Sequence, residues 1–262
     1  MGRLPDKIAA LTEGKPYHMD DIGMSGSTVI TYDDMVLKIE KYSENIAETV
    51  QMMEWLAEKI PVPQIICHEI TDGKSYLLMS RIKGKMACEA NYLARPEEMV
   101  SLLAEGLKML WAVDVSDCPR ERSLDKELAE ARYRVENNLV NLENAEPDTF
   151  GENGFESPAK LLKWLEENKS AYEPVLSHGD FCLPNVFFED GKVSGFIDLG
   201  DAGIADKWRD ISLCWRSLKH NFDGTFGGRA YPDFNPDILY EKLGIACDED
   251  KLRYYILLDE LF

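Results

Sequence analysis

The sequence predicts an α+β chain folded as two lobes, with an antiparallel sheet at the N-terminal end and a mainly helical body after it. Three observations carry that prediction. Short apolar and β-branched runs separated by turn signals fill residues 17–40 and 64–80. Apolar residues recur at spacings of three and four from residue 96 onward. Between the two regimes, Arg81-Ile82-Lys83-Gly84-Lys85 marks the change of character, so residues 1–81 are assigned to one lobe and 82–262 to the other.

The first lobe reads as a meander. A strand over 17–22 turns at Gly23-Met24-Ser25-Gly26-Ser27 into a strand over 28–32, and Asp33-Asp34 turns the chain again into a strand over 35–39. Ile46, Val50, Met53, Leu56 or Ala57, and Ile60 give one face of a helix over 44–59, which Pro61-Val62-Pro63 ends. Two more strands, over 64–69 and 75–80, flank the Asp72-Gly73 turn.

In the second lobe, Met99, Leu102, Leu103, Leu107 and Leu110 predict a helix over 96–113, and Leu124, Leu128, Ala131, Val135 and Leu139 one over 123–142. Residues 143–156, rich in Glu, Asp and Asn and broken by Pro147, read as an acidic loop. Ser157-Pro158 then opens a helix through Leu161, Leu162 and Leu165. Residues 203–210 lead into another helix, with Leu213, Trp215 and Leu218 on its buried side. A long loop over 221–236 follows, and the last helix starts near Asp248.

The chemistry concentrates between these helices. In Ser177-His178-Gly179-Asp180-Phe181-Cys182-Leu183-Pro184-Asn185, Asp180 and Asn185 bracket one tight loop. The apolar run after it, the Asp190-Gly191 turn and the return strand over 192–197 deliver Asp198 back beside Asn185. An attacking hydroxyl needs a carboxylate to orient it, and magnesium ions bridging nucleotide phosphates need oxygen ligands. Asp180 suits the first task, and Asn185 and Asp198 the second. His178 is assigned to holding backbone, and Asp210 to bracing the loop. Lys38 alternates to the face opposite Leu37 and Ile39; a third-strand lysine of a kinase-like lobe reaches the phosphates and pairs with a helix glutamate, here Glu48 or Glu44. The Gly-Ser turn containing Met24 and Ser25 suits phosphate oxygens.

Bulk composition narrows the function classes. With 262 residues and 45% apolar content the chain buries a full core. Its 29 basic against 48 acidic residues give a formal charge of −19, which repels nucleic-acid backbones and anionic membranes and suits a polycationic ligand. No apolar stretch is long enough for a membrane span or signal peptide, so a cytoplasmic protein is expected. The six scattered cysteines show neither zinc-ligand nor Cys-x-x-Cys spacing.

The whole chain resembles the aminoglycoside 3′-phosphotransferase family, antibiotic-resistance kinases of the protein-kinase-like fold. The resemblance is carried by Ser177 to Asn185, by Gly195-Phe196-Ile197-Asp198 with Ala205-Asp206-Lys207-Trp208-Arg209-Asp210-Ile211, by Lys59-Ile60-Pro61-Val62-Pro63, and by Tyr254-Tyr255-Ile256-Leu257-Leu258-Asp259-Glu260-Leu261-Phe262. It implies Asp180 as catalytic base, Asn185 and Asp198 as Mg²⁺ ligands, and Met24, Ser25, Lys38, Glu48, Ser80 and Ile82 around ATP, with GTP as the alternative donor. It also implies that Glu143, Glu146, Asp148, Arg216, Asp259, Glu260 and the C-terminal carboxylate of Phe262 face a cationic aminoglycoside. The substrate-binding part is then about 124–171 with 248–262, and the enzyme a monomer or weak homodimer. The chain departs from the family pattern near Thr49, where the helix glutamate falls, and at Asp201, which stands where an arginine follows the metal-binding segment. Two alternatives stay open: a kinase of the same fold for another small hydroxyl compound, and a non-catalytic nucleotide-binding module.

Overall fold

The computed structural model describes residues 4–20, 27–152, 154–169, 173–226 and 228–262. A short helix, α1 (Asp6–Thr12), precedes an antiparallel sheet of β1 (Tyr17–Asp20), β2 (Thr28–Tyr32), β3 (Met35–Lys41), β4 (Ile65–Thr71) and β5 (Lys74–Ser80), ordered β1-β2-β3-β5-β4. Between β3 and β4 runs α2 (Glu44–Leu56). Strand alternation divides the sheet into two faces. Ile30, Tyr32, Leu37, Tyr76 and Leu78 pack under Ile8 of α1 as one small core, while Leu77 joins Met52, Met53 and Leu56 of α2 in the large core that continues into the second lobe. Both Asp-Gly turns have the two positive φ angles of a tight hairpin, 50° and 70° at Asp72 and Gly73, and 49° and 72° at Asp190 and Gly191.

After a two-residue strand, β6 (Lys85–Met86), come α3 (Ala90–Leu93), α4 (Pro96–Trp111), α5 (Leu124–Glu136) and α6 (Pro158–Glu167). The middle of the lobe holds β7 (Pro174–Ser177), β8 (Val186–Glu189), β9 (Lys192–Phe196) and β10 (Gly203–Asp206). The last three helices are α7 (Lys207–Asp223), α8 (Ile238–Leu243) and α9 (Glu249–Asp259). The predicted plan of a sheet lobe and a mainly helical lobe is the one observed. The central pillar is α4: Pro96 starts it, and Met99, Leu103 and Leu107 are 0% exposed. Each such side chain contributes about 1.5–3 kcal/mol by leaving water.

Several elements differ from the sequence expectation. The described part of the first strand is residues 17–20, and the rest of that strand and its turn, with Met24 and Ser25, lies outside the described residues. Helix α5 ends at Glu136 rather than 142, because Asn138 turns left-handed at φ 55° and the Leu139 N–H bonds back to the Arg134 carbonyl at 2.8 Å. Residues 203–206, read as the approach to a helix, form β10, which pairs antiparallel with β7. Asp206 then caps α7 by accepting the Trp208 N–H at 3.1 Å. That helix continues through 221–223 to the left-handed Gly224, so the loop begins later than expected. Trp215, expected among its buried residues, is half-buried and donates its indole N–H to Asp237 at 2.9 Å. All six cysteines are free thiols. Among the described residues no helix is long and apolar enough to cross a membrane.

Candidate active site

The loop leaving β7 is held from beneath. Asp210, in the first turn of α7 and 0% exposed, accepts the backbone N–H of His178 at 2.7 Å and of Gly179 at 2.9 Å. Burial pushes its carboxyl above the ordinary aspartate range, while His178 and the two N–H groups pull it back. Gly179 is required by its surroundings: φ is +83°, and a Cβ there would lie 2.3 Å from the Asp201 carbonyl oxygen. Its own carbonyl accepts Arg209 Nε at 3.0 Å. The fully buried His178 ring donates from Nε2 to the Ile197 carbonyl at 2.9 Å and accepts the Asp180 N–H on Nδ1 at 3.3 Å. The imidazole therefore joins loop to hairpin, the holding role expected of it.

Above this support the predicted residues meet. Asn185 donates its side-chain amide to Asp180 Oδ2 at 2.8 Å and to the Asp180 carbonyl at 3.0 Å, which leaves the Asn185 amide oxygen for a cation. The hairpin of β8 and β9 returns as expected, with the Ile197 N–H on the Asn185 carbonyl at 3.0 Å. Asp198 follows in a left-handed conformation, φ 59°, with its carboxylate exposed. Lys38 reaches across from β3 to Asp198 Oδ1 at 3.6 Å and to Glu40 Oε2 at 3.7 Å. An amide oxygen and an exposed carboxylate are hard donors, and two of them with solvent suit Mg²⁺, which keeps water and phosphate in most of its positions.

The expected partner of Lys38 is corrected. Glu48 faces Arg120 Nε at 3.5 Å, and no ion pair joins it to Lys38. The cause lies in α2, where Asn45, Glu48 and Thr49 present one face to Arg120. Ser80 is half-buried and turns its hydroxyl to the Gln64 N–H at 2.8 Å, and Ile82 is half-buried at the junction after β5.

The residues assigned to a cationic ligand gather at the C-terminal end, and most already carry an internal partner. Arg216 of α7 pairs with Asp259 and, at 3.3 Å, with Glu260. Glu260 also accepts the Glu146 N–H at 3.0 Å, and burial raises its pKa to about 7. Glu146 in turn meets His220 Nε2 at 2.9 Å. Arg134 donates to the Leu261 carbonyl at 2.8 Å and to the main-chain oxygen of Phe262. Glu143 and Asp148 are exposed to solvent. Cys182 joins this cluster to the loop, because the charges of Asp180 and Asp259 both act on its thiol, which burial pushes well up.

Sequence reading did not single out Arg120 or Arg134 and gave Arg209 only as part of the Ala205 to Ile211 segment. Arg120 and Arg134 stand on otherwise polar stretches, and only the tertiary fold supplies the carbonyls and carboxylates that all three meet. His220 carried a weak signal, as a buried polar residue in the last turn of α7.

Comparison with known proteins gives the family of the chain. The model of the Phosphotransferase enzyme family matches residues 22–236. An aminoglycoside 3′-phosphotransferase of Enterococcus faecalis is 44% identical over 80% of this chain and 76% of its own length. One of Staphylococcus aureus is 40% identical over 96% and 92%. Among solved structures, an aminoglycoside phosphotransferase of the 3″ type from Streptomyces rimosus, in complex with ADP and streptomycin, aligns over 98% of this chain and 99% of its own at a TM-score of 0.75 and 24% identity. Fold and family thus define a kinase-type phosphotransferase of the protein-kinase-like class. The chain belongs to the phosphotransferase enzyme family, among its aminoglycoside 3′-phosphotransferases.

Proposed function

We propose that this protein transfers the γ-phosphoryl group of ATP to the 3′-hydroxyl of aminoglycosides of the kanamycin and neomycin type, conferring resistance to them. The observation that carries the reading is the Asp180–Asn185 pair, closed at 2.8 Å, beside the hairpin end that brings Asp198 to Lys38. Asp180 orients the acceptor hydroxyl and takes its proton. Asn185 and Asp198 would hold Mg²⁺, whose chemistry is to neutralise the phosphate oxygens as charge shifts to the leaving group. Lys38 binds the phosphates, and Met24 and Ser25, which lie outside the described residues, are assigned to the same phosphates. Ser80 and Ile82 line the adenine side at the junction of lobes 1–81 and 82–262. GTP is the alternative donor.

Asp259, Glu260, Glu143, Glu146 and Asp148 bind ammonium groups beside Phe262, with Arg216 setting the orientation of the first two. The S. rimosus relative's complex with ADP and streptomycin supports both ligands. The net charge of −19 suits a polyamine, and the protein is proposed to work in the cytoplasm as a monomer or weak homodimer. The test is kanamycin-dependent ADP release from magnesium-ATP, with product mass raised by one phosphoryl group. A 3′-deoxy analogue must give no product; product from that analogue, or no release despite bound ATP, overturns the assignment.

A further inference from the structure

Arg120 lies in the connection between α4 and α5 and is 7% exposed. Its stretch is stitched to β10: the Ile204 N–H bonds to the Arg120 carbonyl at 3.0 Å and the Arg122 N–H to the Ile204 carbonyl at 2.8 Å. Gly203 permits this approach, since a Cβ there would stand 2.9 Å from Arg122 Cγ and 3.1 Å from the Arg120 oxygen.

From that fixed base the guanidinium forks. Nη1 donates to the carbonyls of Gly200 at 2.6 Å and Ala202 at 3.3 Å, two and four residues beyond Asp198. Nη2 donates to Asn45 Oδ1 at 3.3 Å and Thr49 Oγ1 at 3.2 Å, and Nε faces Glu48 at 3.5 Å. One side chain therefore touches three α2 residues spaced i, i+3 and i+4 and both walls of the segment after the candidate metal ligand.

We infer that Arg120 is a positioning residue for phosphoryl transfer, fixing α2 and the Asp198 segment in one geometry and acting through Asp198 rather than on substrate. This rests on the proposed role of Asp198. The reasoning is physical. Burying a guanidinium costs several kcal/mol, and an apolar residue of its size gives equal or better packing, so stability alone does not call for arginine here. A planar fork of five donors reaches acceptors on two elements at once. In kinases the helix is tied to the third-strand lysine by its glutamate; here α2 is tied to the metal-side segment, and Lys38 reaches Asp198 by itself. Burial lowers the Arg120 pKa, but Glu48 opposes that, and the side chain stays charged.

The test removes the α2 half of the fork and keeps the buried arginine: Asn45→Ala with Thr49→Ala. Affinity for ADP is titrated calorimetrically at a series of Mg²⁺ concentrations, and Tm is recorded in parallel. The expected result is a rise of about 3- to 10-fold in the Mg²⁺ needed for half-maximal ADP affinity, with Tm within a few degrees of the parent. Arg120→Lys, which keeps a charge but not the fork, should give a rise of the same sense. An unchanged Mg²⁺ requirement in both, whatever happens to Tm, overturns the inference and leaves Arg120 a structural tether. Because the readout needs no acceptor, a wrong antibiotic assignment would show in the ADP-release assay and leave this result standing.

Discussion

Asn185 holds Asp180: its side-chain amide reaches Oδ2 at 2.8 Å, so the carboxylate proposed as base is fixed by the residue proposed as metal ligand. Loss of Asn185 should therefore disturb Asp180 as well. Asp180→Ala is expected to lower turnover by about 10²- to 10⁴-fold while nucleotide affinity stays within a few-fold. Steady-state ADP release alongside calorimetric nucleotide titration checks this, and equal turnover would end the assignment.

Asn185→Ala should leave Asp180 without its donor and the cation without one oxygen. The expected signature is a raised Mg²⁺ requirement together with a fall in kcat, whereas Asp180→Ala moves kcat alone. Mg²⁺ titration of turnover in the two variants separates them.

Asp210→Ala tests the support. It strands the buried N–H groups of His178 and Gly179 and is expected to cost about 3 kcal/mol or more. Urea denaturation measures it; a loss below about 1 kcal/mol would mean that the loop is held elsewhere.

Glu260 gives a pH dependence. Burial raises its folded pKa to about 7 from the ordinary glutamate value of 4.5. Between those values the folded chain keeps a proton that the unfolded chain releases, so this group lowers stability as pH rises through the window. Glu260→Gln should flatten that slope in urea midpoints taken at pH 5, 6, 7 and 8. A bound ammonium favours the ionised form, so ligand binding near pH 6 should release protons, detectable in buffers of different ionisation enthalpy.

The cysteines differ in environment. Cys182 is half-buried with its thiol pushed well up, whereas Cys247 is exposed. Iodoacetamide should label Cys247 within minutes and leave Cys182 intact, as peptide mass mapping reports.

The hairpin that carries Asp198 was legible because Asp190-Gly191 dictates its turn, and the α4 stripe because Met99 through Leu110 keeps one period. The end of α5 was not. Leu139 and Leu142 continue the helical spacing, yet a left-handed Asn138 stops the helix, and they remain 49% and 54% exposed. Four-residue strands such as β7 and β10 are too short to show a period. The Lys38 partner was misread because spacing placed Glu48 on α2 without showing that a distant arginine claims that helix face. The Arg134, Arg216 and His220 pairings arise from contacts over long sequence separation, which local pattern does not encode.

The contact of Lys38 with Asp198 at 3.6 Å gives the free enzyme an internal counter-ion where ligands are proposed to bind. Such a partly exposed pair is worth up to about 1 kcal/mol, a factor of about five. Metal arriving alone must displace the ammonium, while phosphates arriving with it supply that ammonium with new anions. The kinetic order of addition should accordingly favour metal and nucleotide entering as one complex, with free Mg²⁺ a poor first ligand.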